Sequence, residues 1–181
     1  GYGDVALPEK DMHTTSYWCT IPKDLLLSLP YNQAEIIDGL GGLAYGLHHL
    51  AAMRLMADLH DLDRAIGDKS GEWFAKKGKD LRAVTNFSAF AVSGREGVST
   101  DPVRLDAYDP TIFIFDAYPG GIGFSELLYE QHAELLAAVR RLLRSCPCSH
   151  GCPSCVGPPL EVGPTAKETA LAILAQVLTY T

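Results

Sequence analysis

The sequence predicts an α/β fold of the α+β kind: a helix-rich domain with a small β-sheet and a four-cysteine knuckle between its last two helices. Three observations lead there. Apolar residues recur at helical spacing over residues 33–66 and again over 124–144. The run "TIFIFD" is continuously apolar, as in a buried strand, and enters a glycine-rich turn. Four of the five cysteines fall in the ten residues "CPCSHGCPSC".

A chain of 181 residues with 47% hydrophobic residues can bury the core of one domain. Its net charge of -7 argues against a broad nonspecific DNA-binding surface, although a local basic face is compatible with it. No apolar run reaches membrane-spanning length and no signal peptide is visible. The start "GYGDVALPEK" lacks an initiator methionine and reads as a piece of a longer protein, whose main activity is then expected in the missing part.

Taken in order, residues 1–16 read as an irregular lead-in, and "TSYWCTI" is aromatic and β-branched, as a strand would be. "DLLLSLP" predicts a short helix ended near Pro30. Residues 33–66 predict one long helix or a helix pair. Leu40, Leu43, Leu47 and Leu50 form one stripe there, and Leu55, Leu59, Leu62 and Ile66 continue it on a shifted face. Apolar residues cover much of the circumference, so this helix is expected at the centre, with "GDKSGE" breaking it. "VTNFSAFAV", "GVSTDPVRL" and "TIFIF" predict strands, with "SGREG" as a hairpin turn. A strong helix over 124–144 follows "AYPGGIG"; Leu128, Leu135, Val139 and Leu142 share a face, with Arg140, Arg141 and Arg144 near the end. Beyond the cysteines, "VGPPLEVGP" is a connector, and "TAKE" is a capping-box pattern opening a last helix with Leu171, Leu174 and Leu178 on one face. The expected layout is thus one domain: lead-in 1–16, core 17–145, knuckle 146–157 and final helix 165–179.

The cysteine spacing is C-x-C-x3-C-x2-C, through Cys146, Cys148, Cys152 and Cys155. Thiolates bind zinc tetrahedrally at about 2.3 Å, and four of them close a structural site. The C-x2-C pair, Cys152 and Cys155, suits a turn whose sulfurs converge, stiffened by Pro153. Disulfides of a secreted chain would be spread out to staple distant loops, so a structural metal is expected, with zinc first and a four-iron cluster as its rival. His150 lies inside the loop as a substitute ligand, and Cys19 is expected to be a buried, inert thiol.

Other signals are weaker. Backbone amides of Gly120, Gly121 and Gly123, where a strand turns into a helix, can cradle a phosphate, or the turn simply needs small residues. The loop matches neither a P-loop nor a dinucleotide fingerprint. Asp116 is placed to cap the helix or brace the loop. His48 and His49 are adjacent on a helix and so point apart. His60, Asp61 and Asp63 read as a solvated helix end, with a second metal site as the alternative, and His132 has no obvious carboxylate partner. Two basic groups, Lys76, Lys77, Lys79 and Arg82 beside Trp73 and Phe74, and Arg140, Arg141 and Arg144, have the mix of charge or aromatic neighbours that can hold a single strand. A solvated face is the alternative for each. No catalytic motif is visible.

Two motifs taken together resemble a known family. "IFIFDAYPGGIGFSELLYE" followed by "RSCPCSHGCPSCVGPP" is similar to the MrfA zinc-binding (MZB) domain, the cysteine-rich C-terminal domain of mitomycin repair factor A-type helicases. "LGGLAYGLHHLAAM" looks like that domain's central helix and "TSYW" like its early strand. The likeness runs from Tyr17 to Leu178 and is most specific over Ile112 to Gly157. It implies zinc on Cys146, Cys148, Cys152 and Cys155. It also implies a parent that is an ATP-dependent superfamily-2 DNA helicase with DNA-repair duties, working in the cytoplasm on the bacterial nucleoid. The motor domains would lie upstream in the same polypeptide, and single-stranded or junction DNA would be the partner. An iron–sulfur sensing domain and a protein-interaction module are the alternatives.

Overall fold

A computed structural model describes residues 12–68, 73–75, 109–158 and 162–180. Four strands, β1 (Ser16–Thr20), β2 (Leu62–Asp68), β3 (Trp73–Ala75) and β4 (Pro110–Asp116), form an antiparallel sheet in the order β1-β4-β2-β3. The apolar run of "TIFIFD" therefore occupies an inner strand. Its register sets Tyr17 beside Ile114 and Cys19 beside Ile112 on one side, with Arg64 beside Ile114 and Ile66 beside Ile112 on the other. Side chains alternate along a strand, so Tyr17, Cys19, Ile112, Ile114, Leu62 and Ile66 share one face, and all six are buried.

Helices cover that face. They are α1 (Lys23–Leu27), α2 (Gln33–Leu55), α3 (Phe124–Glu130), α4 (His132–Ser145) and α5 (Ala166–Tyr180). α2 starts at a capping box: Asn32 accepts from the Glu35 amide at 3.0 Å, and Glu35 accepts from the Asn32 amide at 2.8 Å. It is the central helix, packed against β2, β4, α4 and α5. Its closest neighbour is α5. A Cβ on Gly39 would lie 2.8 Å from Thr169 Cβ and Cγ2 and 3.0 Å from the Ala170 amide nitrogen. Only glycine lets the two helices approach this closely.

Three expectations are corrected. The segment over residues 33–66 is not all helix: α2 stops at Leu55, Met56 caps it in the left-handed region (φ 53), and Leu62 and Ile66 lie on β2. The helix over 124–144 is broken at Gln131 (φ -98, ψ 14) into α3 and α4. On α5 the fully buried residues are Ala166, Thr169, Ala170, Ile173 and Leu174, so of the expected Leu171, Leu174 and Leu178 face Leu174 is enclosed and the other two are only partly buried against the core. The two ends of the "TAKE" pattern reach other elements, Thr165 donating to Asp38 at 3.3 Å and Glu168 accepting from Tyr31 at 3.1 Å. The segments "VTNFSAFAV", "SGREG" and "GVSTDPVRL" and the group Lys76, Lys77, Lys79 and Arg82 lie outside the described residues.

Candidate metal centre

α4 delivers the first thiol. The Cys146 amide still bonds the Leu142 carbonyl at 3.1 Å, but Cys146 itself is extended (φ -68, ψ 126), which turns the chain off the helix toward Cys148. Gly151 follows with φ +117, where a Cβ would meet Val156 Cγ2 at 2.5 Å. The second pair sits on a tight turn, with the Cys155 and Val156 amides both donating to the Cys152 carbonyl at 3.0 and 3.1 Å. The turn is pinned from α2, where the Tyr45 hydroxyl donates to the Pro153 carbonyl at 2.6 Å. Cys155 and Val156 are fully enclosed.

The four sulfurs come together. Cys146–Cys148, Cys146–Cys152, Cys148–Cys155 and Cys152–Cys155 are 3.4, 3.6, 3.5 and 3.6 Å apart, and all four ligand atoms lie within 4.8 Å of one another. A tetrahedron with zinc–sulfur bonds of about 2.3 Å has edges of roughly 3.8 Å. A disulfide needs about 2.0 Å, and none of these cysteines is bonded to another. The four cysteines are therefore positioned to hold a metal ion. Among the described residues they are the one such group, and exposed His150 stands outside it.

The thiols are unequal. Burial pushes Cys155 up to about 12. Burial also pushes Cys148 up, but hydrogen bonds from Cys146, Cys155 and Cys152 and the Gly151 amide outweigh it and bring Cys148 down to about 7. The Ser154 amide lowers Cys152. Part of the site is thus ready to ionise, as a metal ligand must.

The model of the MrfA Zn-binding domain matches residues 43–156, which include all four cysteines. The chain belongs to the MrfA Zn-binding domain family. This MZB domain is 28% identical over 180 residues to YprA of Bacillus subtilis (strain 168), described as an uncharacterized ATP-dependent helicase; the match covers 98% of this chain and 19% of YprA. An uncharacterized protein of Methanocaldococcus jannaschii is 44% identical over 45 residues, 25% of this chain and 40% of that protein. The crystal structure of the DUF1998 helicase MrfA bound to DNA superimposes with a TM-score of 0.56 at 26% identity, over 98% of this chain and 19% of MrfA. The same helicase bound to DNA and AMPPNP gives 0.52 at 27%, over 97% and 17%. The chain thus spans about a fifth of the helicases it matches.

The MZB glycine loop serves its own fold. Asp116 is fully buried and accepts from the Ile122 amide at 2.5 Å, the Gly123 amide at 3.1 Å, the Thr15 hydroxyl at 3.2 Å and the Ser125 hydroxyl at 3.4 Å. The Gly120 and Gly121 amides donate to the His13 and Tyr118 carbonyls. Of the three glycine amides, that of Gly123 bonds the Asp116 carboxylate and those of Gly120 and Gly121 bond backbone carbonyls, which fits the reading of a tight turn built from small residues. Asp116 braces the loop, as expected of it. Arg140 is half-buried, whereas Arg141 and Arg144 are exposed on α4. Cys19 is buried on β1 and raised to about 11 by burial. His132 accepts from or donates to the Tyr17 hydroxyl at 2.6 Å, a partner that sequence spacing does not reveal. His60 pairs with Asp58 at 2.7 Å in solvent. No helix among the described residues is long and apolar enough to cross a membrane.

His48 gives the domain a pH dependence. Its Nε2 faces the Leu62 carbonyl at 3.0 Å and its Nδ1 faces Arg64 at 3.1 Å. A carbonyl only accepts and a guanidinium only donates, so the ring is neutral with its proton on Nε2. Burial lowers its pKa below the ordinary 6.5. As pH falls through 6.5, the unfolded chain takes a proton that the folded chain refuses, so stability declines on acidification. Urea midpoints at about pH 7.5 and about pH 5.5 should differ by less in His48→Gln than in the native chain.

Proposed function

We propose that this chain is the zinc-bound accessory domain of an ATP-dependent DNA helicase, with Cys146, Cys148, Cys152 and Cys155 as the ligands. The observation that carries the reading is the match of nearly the whole chain to a helicase crystallised with DNA. Zinc has no redox chemistry to contribute here, and four thiolates leave it no open position. Its task is to join α4 to α5. ATP hydrolysis belongs to motor domains elsewhere in the parent polypeptide, which would act on DNA in the cytoplasm in repair of the nucleoid.

The exposed arginines on α4, Arg141 and Arg144 with half-buried Arg140 beside them, are the candidate DNA contacts. Fluorescence anisotropy of a labelled single strand, titrated between about 50 and 200 mM salt, tests this. Binding should weaken steeply with salt. Replacing Arg141 and Arg144 by alanine should flatten the logarithmic slope by about 1.4, or 0.7 per lost contact. No binding at the lower salt would instead make the domain a protein-interaction module.

A further inference from the structure

Lys167 stands on the first turn of α5 and is 8% exposed. Its Nζ donates to the Cys146 carbonyl at 2.8 Å and to the Cys148 carbonyl, and lies 3.5 Å from Cys148 Sγ. Among the described residues no carboxylate lies within ion-pair distance of it. A buried ammonium without a counter-charge is strongly disfavoured. Among the described residues the anionic partner in reach is the thiolate cluster, which with a divalent ion carries a formal charge of -2 (four thiolates, -4, plus the ion, +2). One lysine halves that charge and at the same time holds two ligand residues by their carbonyls.

We propose that Lys167 is a positioning residue of the metal centre, whose charge retains the ion and makes retention depend on the seating of α5. The proposal rests on the four-cysteine zinc reading. It also explains why a lysine on the first turn of α5 is buried.

The test uses the 181-residue chain loaded with cobalt(II) for spectra or with zinc for release to a chromophoric chelator. Lys167→Met keeps the aliphatic stem and loses the charge. Lys167→Gln keeps a hydrogen-bond donor without the charge, and Lys167→Arg keeps the charge. Met and Gln variants should release zinc about 10–100-fold faster and shift the thiolate-to-cobalt absorption band, with Arg restoring much of both. A Gln variant with native band and native release overturns the proposal, because a merely structural hydrogen bond would behave that way. It also keeps the question answerable if the Met variant does not fold. A native chain that takes up no cobalt or zinc overturns the four-cysteine reading, and this proposal with it.

Discussion

Replacing Cys155 by serine is expected to abolish tight metal binding and lower the melting temperature by at least roughly 10 °C. A structural zinc contributes about 10–16 kcal/mol of apparent binding energy in isolated fingers, against about 5–15 kcal/mol for the stability of a whole domain. Here the sheet and α2 supply their own core, so only part of that range applies. Even about 3 kcal/mol moves the midpoint of a chain this size by roughly 10 °C. Cys155 is the thiol to choose because it is fully enclosed and bonded into the Cys152 turn. Calorimetry and elemental analysis check the result, and chelation of the native chain should reproduce it. Cys19→Ala should leave the metal content at one per chain, since Cys19 lies on β1 outside the cluster. An unchanged melting temperature in metal-free protein would remove the structural role.

Gly39→Ala should destabilise the domain although alanine is the better helix former. The gain in propensity is about 1 kcal/mol. Against it stands overpacking of about 1–3 kcal/mol, because the new methyl would sit 2.8 Å from Thr169, which is fully buried, and 3.0 Å from the Ala170 backbone. Neither neighbour can swing away. Gly39→Val should lose about 3 kcal/mol or more. Gly41 is the internal control on the same helix. Its nearest neighbour would be Val162 Cγ1 at an ordinary 3.5 Å, so Gly41→Ala should be neutral or stabilising by up to about 1 kcal/mol. Urea denaturation distinguishes them. Equal stabilities for Gly39→Ala and Gly41→Ala would mean that α5 does not pack against α2 as described.

The metal cluster was legible because four thiols in ten residues have almost no other use outside secreted proteins, and the spacing alone brings the sulfurs together. "TIFIFD" was legible because a continuous apolar run fits a strand covered by neighbours. The end of α2 was not. Leu62 and Ile66 are four apart, a spacing that suits one face of a helix and equally one face of a strand. The helix also ends without the usual glycine, since Met56 takes the left-handed cap itself. The break between α3 and α4 is hidden for a similar reason: Gln131 is neither glycine nor proline, and Leu128 and Leu135 are buried on both sides of it. The start of α2 at Gln33 falls where the sequence places it, and the "NQAE" capping box is the local signal for it. Asp116 and Lys167 show a wider limit. Each takes its role from partners brought close by tertiary folding, and no local pattern announces them.

The pairing of α2 with α5 bears on how the domain is made. The 110 residues between Leu55 and Ala166 must be synthesised after α2 is finished and before its partner begins. At about 5–20 residues per second, that is a wait of roughly 5–20 s. Throughout it, the helix surface later covered by Thr169 and Ala170 lacks these two partners, while Ile36, Leu40, Leu43 and Leu47 already need shelter. The pairing of α2 with α5 is thus a late event, completed only once the last helix has left the ribosome.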